Sequence, residues 1–472
     1  MAIVGKDNLL NILYKFNPWW QTGEVPKEFL KEFKRTQYYI CSKAFNNEIR
    51  RIVVMSGARR TGKTTIMYQI INDLLNAGVN PYNILHFSFD HPAFRTVNIE
   101  IIVDLYRNNI SSDSNFYVFI DEVQFQQEWT SYLKLLYDMN PYMKAMATGS
   151  SSSVVEKDVR ESGAGRWTVI KVPTLSFYEY CEIKGIVKKD LNIIDVFSLY
   201  KMSKQEQTQI IMGLSDLQIQ LMRYLQLGGF PELVNVNNIV YAQRLLCEDV
   251  LERAIKNDLP SVYEIRSVEE LEKVFVYLCY NATNIINLET MAKEFENVSR
   301  PTLEKYIDYL ETANLINVSK LLNNQGKKVL KQRNKIYISD NGIRSAVVLG
   351  SNIQTDNTEL GYAMESTCYK HVKDYFNALN SLYEVGYIRS TKGEEIDIAV
   401  QYSGKPIQYI EAKYRGHSSI KDKDGIVVFG LKDTPGYVIT KEIEDYGLTE
   451  RNGTSLYRIP AVAFLYLIGK MV

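Results

Sequence analysis

Apolar runs alternate with amphipathic stretches over the first 170 residues. The runs at 51–56, 115–120 and 144–148 are almost continuously apolar, which is typical of strands buried on both faces of a parallel sheet. Residues 66–77 and 127–137 have the spacing of amphipathic helices. Strands that alternate with helices in this way predict an α/β fold with a parallel sheet.

The pattern changes after residue 172, where helical segments dominate up to a break near residue 259. Three helices follow at 268–280, 288–295 and 299–313, then strand-like runs at 315–322 and 335–339, which is the order of a winged helix. A polar linker precedes a last α/β region. The predicted organisation is an N-terminal segment (1–30), an α/β core (31–172), a helical lid (173–259), a winged-helix region (260–349), a linker (350–358) and a C-terminal domain (359–472).

Composition narrows the class of protein. The chain has 472 residues, equal numbers of acidic and basic residues (55 each), and 46% hydrophobic residues, as an ordinary globular protein has. Zero net charge excludes a general polyanion-binding surface, so any nucleic-acid site must be a local patch. The five cysteines form no C-x-x-C pair, and no apolar stretch is long enough for a membrane span. We therefore expect a soluble cytoplasmic protein that does not bind membranes.

The most informative motif runs from Gly57 to Thr64 and reads G-x-x-x-x-G-K-T between a strand and a helix. This is the Walker A pattern, in which backbone N–H groups surround phosphates, Lys63 contacts the β- and γ-phosphates and the Thr64 hydroxyl binds Mg²⁺. A glycine-rich turn without a nucleotide is the alternative. The candidate residues for binding ATP are Gly57, Arg60, Thr61, Gly62, Lys63, Thr64 and Thr65.

A second motif ends the apolar run at 115–120 with Asp121 and Glu122. A Walker B strand ends in this way, with Asp121 in the Mg²⁺ shell and Glu122 orienting and deprotonating the attacking water. The alternative is an acidic pair that caps the next helix. The third run ends in Thr148 and Ser150, which are candidate sensors of the γ-phosphate or else residues of a simple turn. Arg166 is a candidate arginine finger, in its own subunit or a neighbouring one, or a member of a surface salt bridge.

A cationic cluster lies between the two strands of the predicted winged helix. It can contact DNA phosphates, although charged loops are often only solvated and winged helices often dock proteins. Its members are Lys327, Lys328, Lys331, Arg333 and Lys335.

The C-terminal domain carries an acidic pattern across a predicted hairpin. Asp397 lies on the first strand, and Glu411 and Lys413 share one face of the second. Glu365, on the preceding helix, completes the set. The carboxylates of Glu365, Asp397 and Glu411 are candidate Mg²⁺ ligands, and Lys413 can activate a water for phosphodiester attack.

The motifs occur in an order that resembles a widespread prokaryotic family of AAA-superfamily, archaeal-type ATPases. They are Gly57–Thr64, Ile120–Gln124, Thr148–Ser151, Gly165 and Arg166, Pro173–Glu179 and Gly228–Glu232. The resemblance implies a P-loop core of the AAA/ASCE type, a helical lid, a winged helix and a C-terminal α/β domain similar to restriction endonucleases and other PD-(D/E)XK nucleases.

Two functions are consistent with these motifs. In the first, Mg-ATP hydrolysis is coupled to a nuclease-like effector that acts on nucleic acid. In the second, the chain is an ATP-dependent conformational switch or scaffold whose nuclease-like domain is inactive and binds a protein partner. The sequence leaves open whether the chain forms a homo-oligomer.

Overall fold

The computed structural model describes residues 5–150, 165–188, 195–295, 298–322, 334–348, 356–379, 382–414 and 419–470. The chain forms two compact units. One contains residues 1–173, 257–265 and 312–314, and the other contains residues 174–256, 266–311 and 315–472. Among the described residues, no helix combines the length and the apolar character that crossing a membrane requires.

The strands, in chain order, are β1 Ile52–Ser56, β2 Ile84–Ser88, β3 Tyr117–Asp121, β4 Lys144–Gly149, β5 Trp167–Lys171, β6 Ile285–Ile286, β7 Ile316–Leu321, β8 Asn334–Ile338, β9 Tyr383–Arg389, β10 Glu395–Tyr402, β11 Lys405–Lys413, β12 Gly436–Thr440, β13 Gly447–Arg451 and β14 Thr454–Pro460. The α-helices are α1 Lys6–Phe16, α2 Trp19–Thr22, α3 Thr36–Phe45, α4 Lys63–Asn76, α5 Pro92–Arg95, α6 Ile99–Asn109, α7 Trp129–Met139, α8 Phe177–Ile183, α9 Lys204–Met212, α10 Gln218–Leu227, α11 Ile239–Cys247, α12 Leu259–Val262, α13 Val268–Tyr280, α14 Leu288–Glu294, α15 Arg300–Thr312, α16 Asn341–Val347, α17 Asn357–Leu379, α18 Gly425–Val428 and α19 Ala461–Lys470. A π-helix spans Glu248–Asp258, and 3₁₀ turns lie at Pro81–Asn83, Val123–Phe125, Val196–Lys201, Ser215–Leu217 and Pro231–Leu233.

The first unit is built on a parallel sheet with the strand order β2-β3-β4-β1-β5. Every residue of β1 and β2 is buried, as the apolar run at 51–56 predicts for β1 in a parallel sheet. The N-terminal segment contributes to the same core, because the indole N–H groups of Trp19 and Trp20 both donate to the carbonyl of Ile84, at 3.1 and 2.9 Å. The predicted α/β class and parallel sheet are confirmed for this unit.

The second unit contains a nine-stranded mixed sheet in the order β13-β14-β12-β11-β10-β9-β7-β8-β6. Strand β7 pairs in parallel with β9, so the strands before and after the predicted linker share one sheet. Most of that linker lies outside the described residues, and α17 begins at Asn357, within its predicted bounds. Helix α13 has the predicted bounds, and α14 and α15 lie within one residue of theirs.

The turn that begins at Gly228 has a packing role in the second unit. The N–H of Gly229 donates to a carboxylate oxygen of Asp340 at 3.0 Å, and the same carboxylate accepts the hydroxyl of Thr174 at 2.5 Å. A Cβ on Gly229 would lie 2.3 Å from the carbonyl oxygen of Leu175. Only glycine fits this close approach of two backbones.

Candidate functional site

The loop between β1 and α4 is tightly constrained. A Cβ on Gly57 would lie 2.2 Å from the carbonyl oxygen of Val172, and Gly62 has a φ of +90° at the start of α4. The guanidinium of Arg35 donates to the carbonyl of Thr61 at 2.6 Å. The loop therefore has the conformation that the glycine spacing predicts, with the N-terminus of a helix at its end.

The side chain of Lys63 lies inside this loop, and the residue is only 4% exposed. Its ammonium donates to the carbonyls of Gly57 at 2.9 Å and Ala58 at 2.8 Å. Burial lowers the pKa of Lys63, although the nearby charges of Glu122 and Asp121 oppose the shift. A buried cation held by backbone dipoles favours the arrival of an anion, because an anion supplies the counter-charge that the carbonyls only partly provide.

Asp121 ends β3 beside the same loop and connects two of the predicted residues. The Thr64 hydroxyl donates to one oxygen of the Asp121 carboxylate at 2.8 Å, and the Thr148 hydroxyl donates to the other. Asp121 is 6% exposed. The structure thus brings together the hydroxyl and the carboxylate that the sequence assigns to Mg²⁺.

Glu122 follows in a left-handed conformation, with φ +55°. Its N–H donates to the Thr148 hydroxyl at 3.2 Å, so Thr148 contacts both residues of the acidic pair. The alternative role of the pair as a cap for the next helix is wrong, because a 3₁₀ turn follows Glu122 and α7 begins only at Trp129.

Gln124 links Glu122 to the second predicted sensor. Its amide nitrogen donates to the Glu122 carboxylate and, at 2.8 Å, to the Ser150 hydroxyl, while its amide oxygen accepts the N–H of Ser150 at 3.2 Å. The sequence reasoning gave Gln124 no role. Its position two residues after Glu122 was the only sequence signal for such a role. A glutamine side chain is not titratable, so its residue type alone does not indicate a catalytic function.

We expect Gln124→Ala to lower kcat for ATP hydrolysis roughly tenfold with little change in KM, because Gln124 orients Glu122 without adding charge. Steady-state phosphate release measures both constants. Gln127→Ala, at an exposed position nearby, is the control. A higher KM with an unchanged kcat would show that Gln124 serves binding rather than orientation.

Arg59 forms a second contact of the loop that the sequence did not indicate. Its guanidinium makes a two-point ion pair with the carboxylate of Asp258, with one N–O distance of 2.9 Å. Burial raises the pKa of Asp258, and Arg59 opposes that shift. The two residues are 199 positions apart, so no local pattern could pair them.

Arg166 lies where the strands of the sheet begin, whereas the loop lies where they end. It immediately precedes β5, whose first residue, Trp167, pairs in register with Ile52 at the start of β1. The five residues of β1 separate Ile52 from Gly57 by roughly 16 Å. Its side chain pairs with Asp138 at 2.9 Å, so the surface salt bridge is observed and a finger role in the same subunit is wrong. A role in a neighbouring subunit stays a prediction.

The second unit brings the C-terminal candidate residues close together. The β10–β11 register places Ile398 opposite Ile410, and Asp397 and Glu411 are the next residues along it. The N–H of Ala412 donates to Asp397 at 3.4 Å, and Lys413 pairs with Glu411 at 2.8 Å. Burial, with the charge of Asp397, raises the pKa of both Glu365 and Glu411.

Lys335 occupies the middle of these acids. Its ammonium lies 2.8 Å from Glu365, 2.8 Å from Glu395 and 3.1 Å from Asp397, and the residue is 2% exposed. The prediction that Lys335 contacts DNA is therefore wrong, because a buried and fully paired ammonium presents no charge to a phosphate. The other four members of that cationic cluster, Lys327, Lys328, Lys331 and Arg333, lie outside the described residues.

The two acidic sites differ in their fit to Mg²⁺. Beside the loop, Thr64 and Asp121 supply a hydroxyl and a carboxylate oxygen, which suits an ion that takes its other ligands from phosphates and water. Among the C-terminal acids, Glu365 and Asp397 already have the ammonium of Lys335 as a counter-ion, and Glu411 pairs with Lys413. Within the described ranges, no group of three or more His, Cys, Asp or Glu residues is arranged to hold a metal.

Comparisons with known proteins identify one part of the chain. An AAA domain model matches residues 49–181, and models of two domains of unknown function match residues 218–357 and 360–462. An uncharacterized protein of Haemophilus influenzae is 25% identical over 299 residues, which cover 62% of this chain and 68% of that protein. An uncharacterized protein of Methanocaldococcus jannaschii is 23% identical over 468 residues, 96% of this chain and 94% of that protein.

Solved structures give looser likenesses. The Orc1 protein of Aeropyrum pernix, in complex with DNA, aligns with a TM-score of 0.33 and 10% identity over 70% of this chain and 95% of that one. AMPPCP-bound DnaA from Aquifex aeolicus aligns with a TM-score of 0.25 and 17% identity over 63% and 92%. The AAA model covers β1, the glycine-rich loop, the acidic pair and both hydroxyl residues. The chain therefore contains a P-loop domain, at residues 49–181, that is similar to the AAA domain family.

Proposed function

We propose that the first unit binds Mg-ATP and hydrolyses it. The observation that carries this proposal is the hydrogen-bonded series Thr64–Asp121–Thr148, which lies beside a buried Lys63 at the N-terminus of α4. A lysine, a hydroxyl and a carboxylate in this order are the groups that phosphoryl transfer requires for holding phosphates and a divalent ion.

Each residue has a distinct role in this proposal. Lys63 and the loop N–H groups bind the β- and γ-phosphates, and Thr64 and Asp121 hold Mg²⁺. Glu122 accepts a proton from the attacking water, with its orientation fixed by Gln124. Thr148 and Ser150 detect the γ-phosphate through their contacts with the acidic pair and with Gln124. Arg60, Thr61 and Thr65 complete the nucleotide contacts.

Substitution of Asp121 by asparagine tests this assignment. Asparagine keeps the shape but loses the charge that binds Mg²⁺, so we expect Mg²⁺-dependent ATP turnover to fall about 100-fold or more. Phosphate release at several Mg²⁺ concentrations measures the effect. Asp138→Asn is the matched control at an exposed position, and equal turnover in the two variants would refute the assignment.

For the second unit we propose a PD-(D/E)XK-like fold preceded by a winged helix. Support comes from the order of α17, the antiparallel strands β9, β10 and β11, helix α18 and then β12 parallel to β11. The ammonium of Lys335 among the acids favours the switch or scaffold over the nuclease. We propose that ATP binding and hydrolysis change the conformation of a chain whose C-terminal domain docks a protein partner.

This choice predicts a result for nucleic acids. The intact chain, incubated with single- or double-stranded DNA or RNA in Mg²⁺ or Mn²⁺, should cleave none of them above the level of Asp397→Ala, since no activated metal is available. Gel electrophoresis of end-labelled substrates measures cleavage. Metal-dependent cutting that both Asp397→Ala and Lys413→Ala abolish would restore the nuclease hypothesis.

A further inference from the structure

One lysine from outside the C-terminal motif lies among its acids. Lys335 belongs to β8, whereas its partners come from α17 and β10. Its Nζ atom lies 2.8 Å from an oxygen of Glu365, 2.8 Å from one of Glu395 and 3.1 Å from one of Asp397. We call these four residues the Lys335 cluster. The three oxygens surround one nitrogen at hydrogen-bonding distances, which uses all three N–H donors of the ammonium.

The burial of Lys335 requires its ammonium to be paired with acids. Lys335 is 2% exposed, and a charged group so far from water is stable only when it is paired and hydrogen-bonded. The Tyr337 hydroxyl donates to Glu365 at 3.0 Å, and Arg389 lies 3.5 Å from Glu395. Without the ammonium, Glu365 and Asp397 would face one another as like charges in a medium of low polarity.

We propose that the ammonium of Lys335 is the resident cation of this cluster and takes the place of a divalent metal ion. The C-terminal unit then binds no divalent metal at these acids, and Lys335 is the residue that determines this. Metal–oxygen distances are about 2.0–2.1 Å for Mg²⁺ and 2.3–2.6 Å for Ca²⁺, shorter than the contacts seen here. A metal at this position would have to displace an ammonium that is 2% exposed and paired with three carboxylates.

One arrangement would contradict the proposal, and the experiment must detect it. The Oε2 atom of Glu411 is buried without a partner in the described part of the chain, and one oxygen of Asp397 accepts only a weak 3.4 Å contact. A metal bridging Asp397 and Glu411 while Lys335 stays in place would use those two oxygens. The inference uses the proposed nuclease-like fold only to identify the expected metal position.

The test measures Mn²⁺ binding to the full chain by electron paramagnetic resonance, without nucleotide. Asp121→Asn is present throughout to remove the metal ligand of the P-loop. Adding Asp397→Asn should then leave Mn²⁺ binding unchanged. Adding Lys335→Met instead should create one Mn²⁺ site, and Mn²⁺ should raise the melting temperature of that protein. The new site should vanish when Asp397→Asn is combined with Lys335→Met.

Two results would overturn the proposal. The first is an Mn²⁺ ion that binds while Lys335 is present and is lost with Asp397→Asn or Glu411→Gln. The second is a folded Lys335→Met chain that gains no site. If Lys335→Met does not fold, the comparison with and without Asp397→Asn still decides the question. Failure of ATP hydrolysis would leave these readouts unaffected, because no nucleotide is present and Asp121 is already replaced.

Discussion

Lys63→Met should lower ATP turnover about 10³-fold, equivalent to about 4 kcal/mol of transition-state stabilisation. The ammonium of Lys63 lies inside the loop and donates hydrogen bonds to two backbone carbonyls at 2.8–2.9 Å. A phosphate bound in this loop would therefore lie close to the positive charge. Methionine keeps the unbranched apolar stem, so packing against the loop changes little. Phosphate release and the ATP-induced rise in melting temperature measure the loss.

The nucleotide-free protein provides the internal control. Burial lowers the pKa of Lys63, while its hydrogen bonds to the carbonyls of Gly57 and Ala58 offset part of the cost of burying the charge, so removing the charge should change the melting temperature of the nucleotide-free protein little. At 100 times Kd, ATP should add about 2.7 kcal/mol of stability to the wild type and almost none to Lys63→Met. Lys43→Met, at an exposed position of α3, should behave as wild type. Turnover that survives in Lys63→Met would exclude the loop as the ATP site.

Glu122→Gln should lower kcat by about 10²–10⁴-fold while ATP still binds, because glutamine keeps the size of the side chain but cannot accept a proton from water. The geometry supports a loss of kcat without a loss of ATP binding. Glu122 is hydrogen-bonded to Thr148 and Gln124, whereas the proposed metal ligands are Thr64 and Asp121, which are hydrogen-bonded to each other. Single-turnover kinetics distinguish the chemical step from binding.

Glu128→Gln is a close control for Glu122→Gln. Glu128 has the same left-handed conformation, with φ +54°, and lies six residues away, but it is exposed. It should leave kcat unchanged. If both variants lose activity equally, or if neither does, Glu122 is not the general base.

The sequence predicted the P-loop unit well because its signals are local. The glycines, Lys63 and Thr64 stand within eight residues, and the strand that ends at Asp121 is continuously apolar. In a parallel sheet the carboxyl ends of the strands lie side by side. The strand pattern alone therefore predicts that Thr64, Asp121 and Thr148 lie close together. By the same rule, Arg166 precedes the amino end of β5 and therefore lies at the opposite end of the strands from this site.

The contacts that the sequence did not reveal join distant residues. Arg59 and Asp258 are 199 positions apart, and Lys335 meets Asp397 across 62 positions. Lys335 looked like one more basic residue of a wing, because charge spacing does not distinguish a solvated lysine from one that tertiary packing surrounds with acids. The pairing of β7 with β9 was hidden for a similar reason, since a polar segment separates the two in sequence.

The central claim is that this AAA domain hydrolyses ATP with Glu122 as its base, and nucleotide analysis of the loaded protein tests it most directly. Wild-type protein and Glu122→Gln are incubated with Mg-ATP, freed of unbound nucleotide, denatured and analysed by chromatography. We expect ADP from the wild type and intact ATP from Glu122→Gln. Intact ATP from the wild type, or ADP in equal amounts from both, would contradict the account.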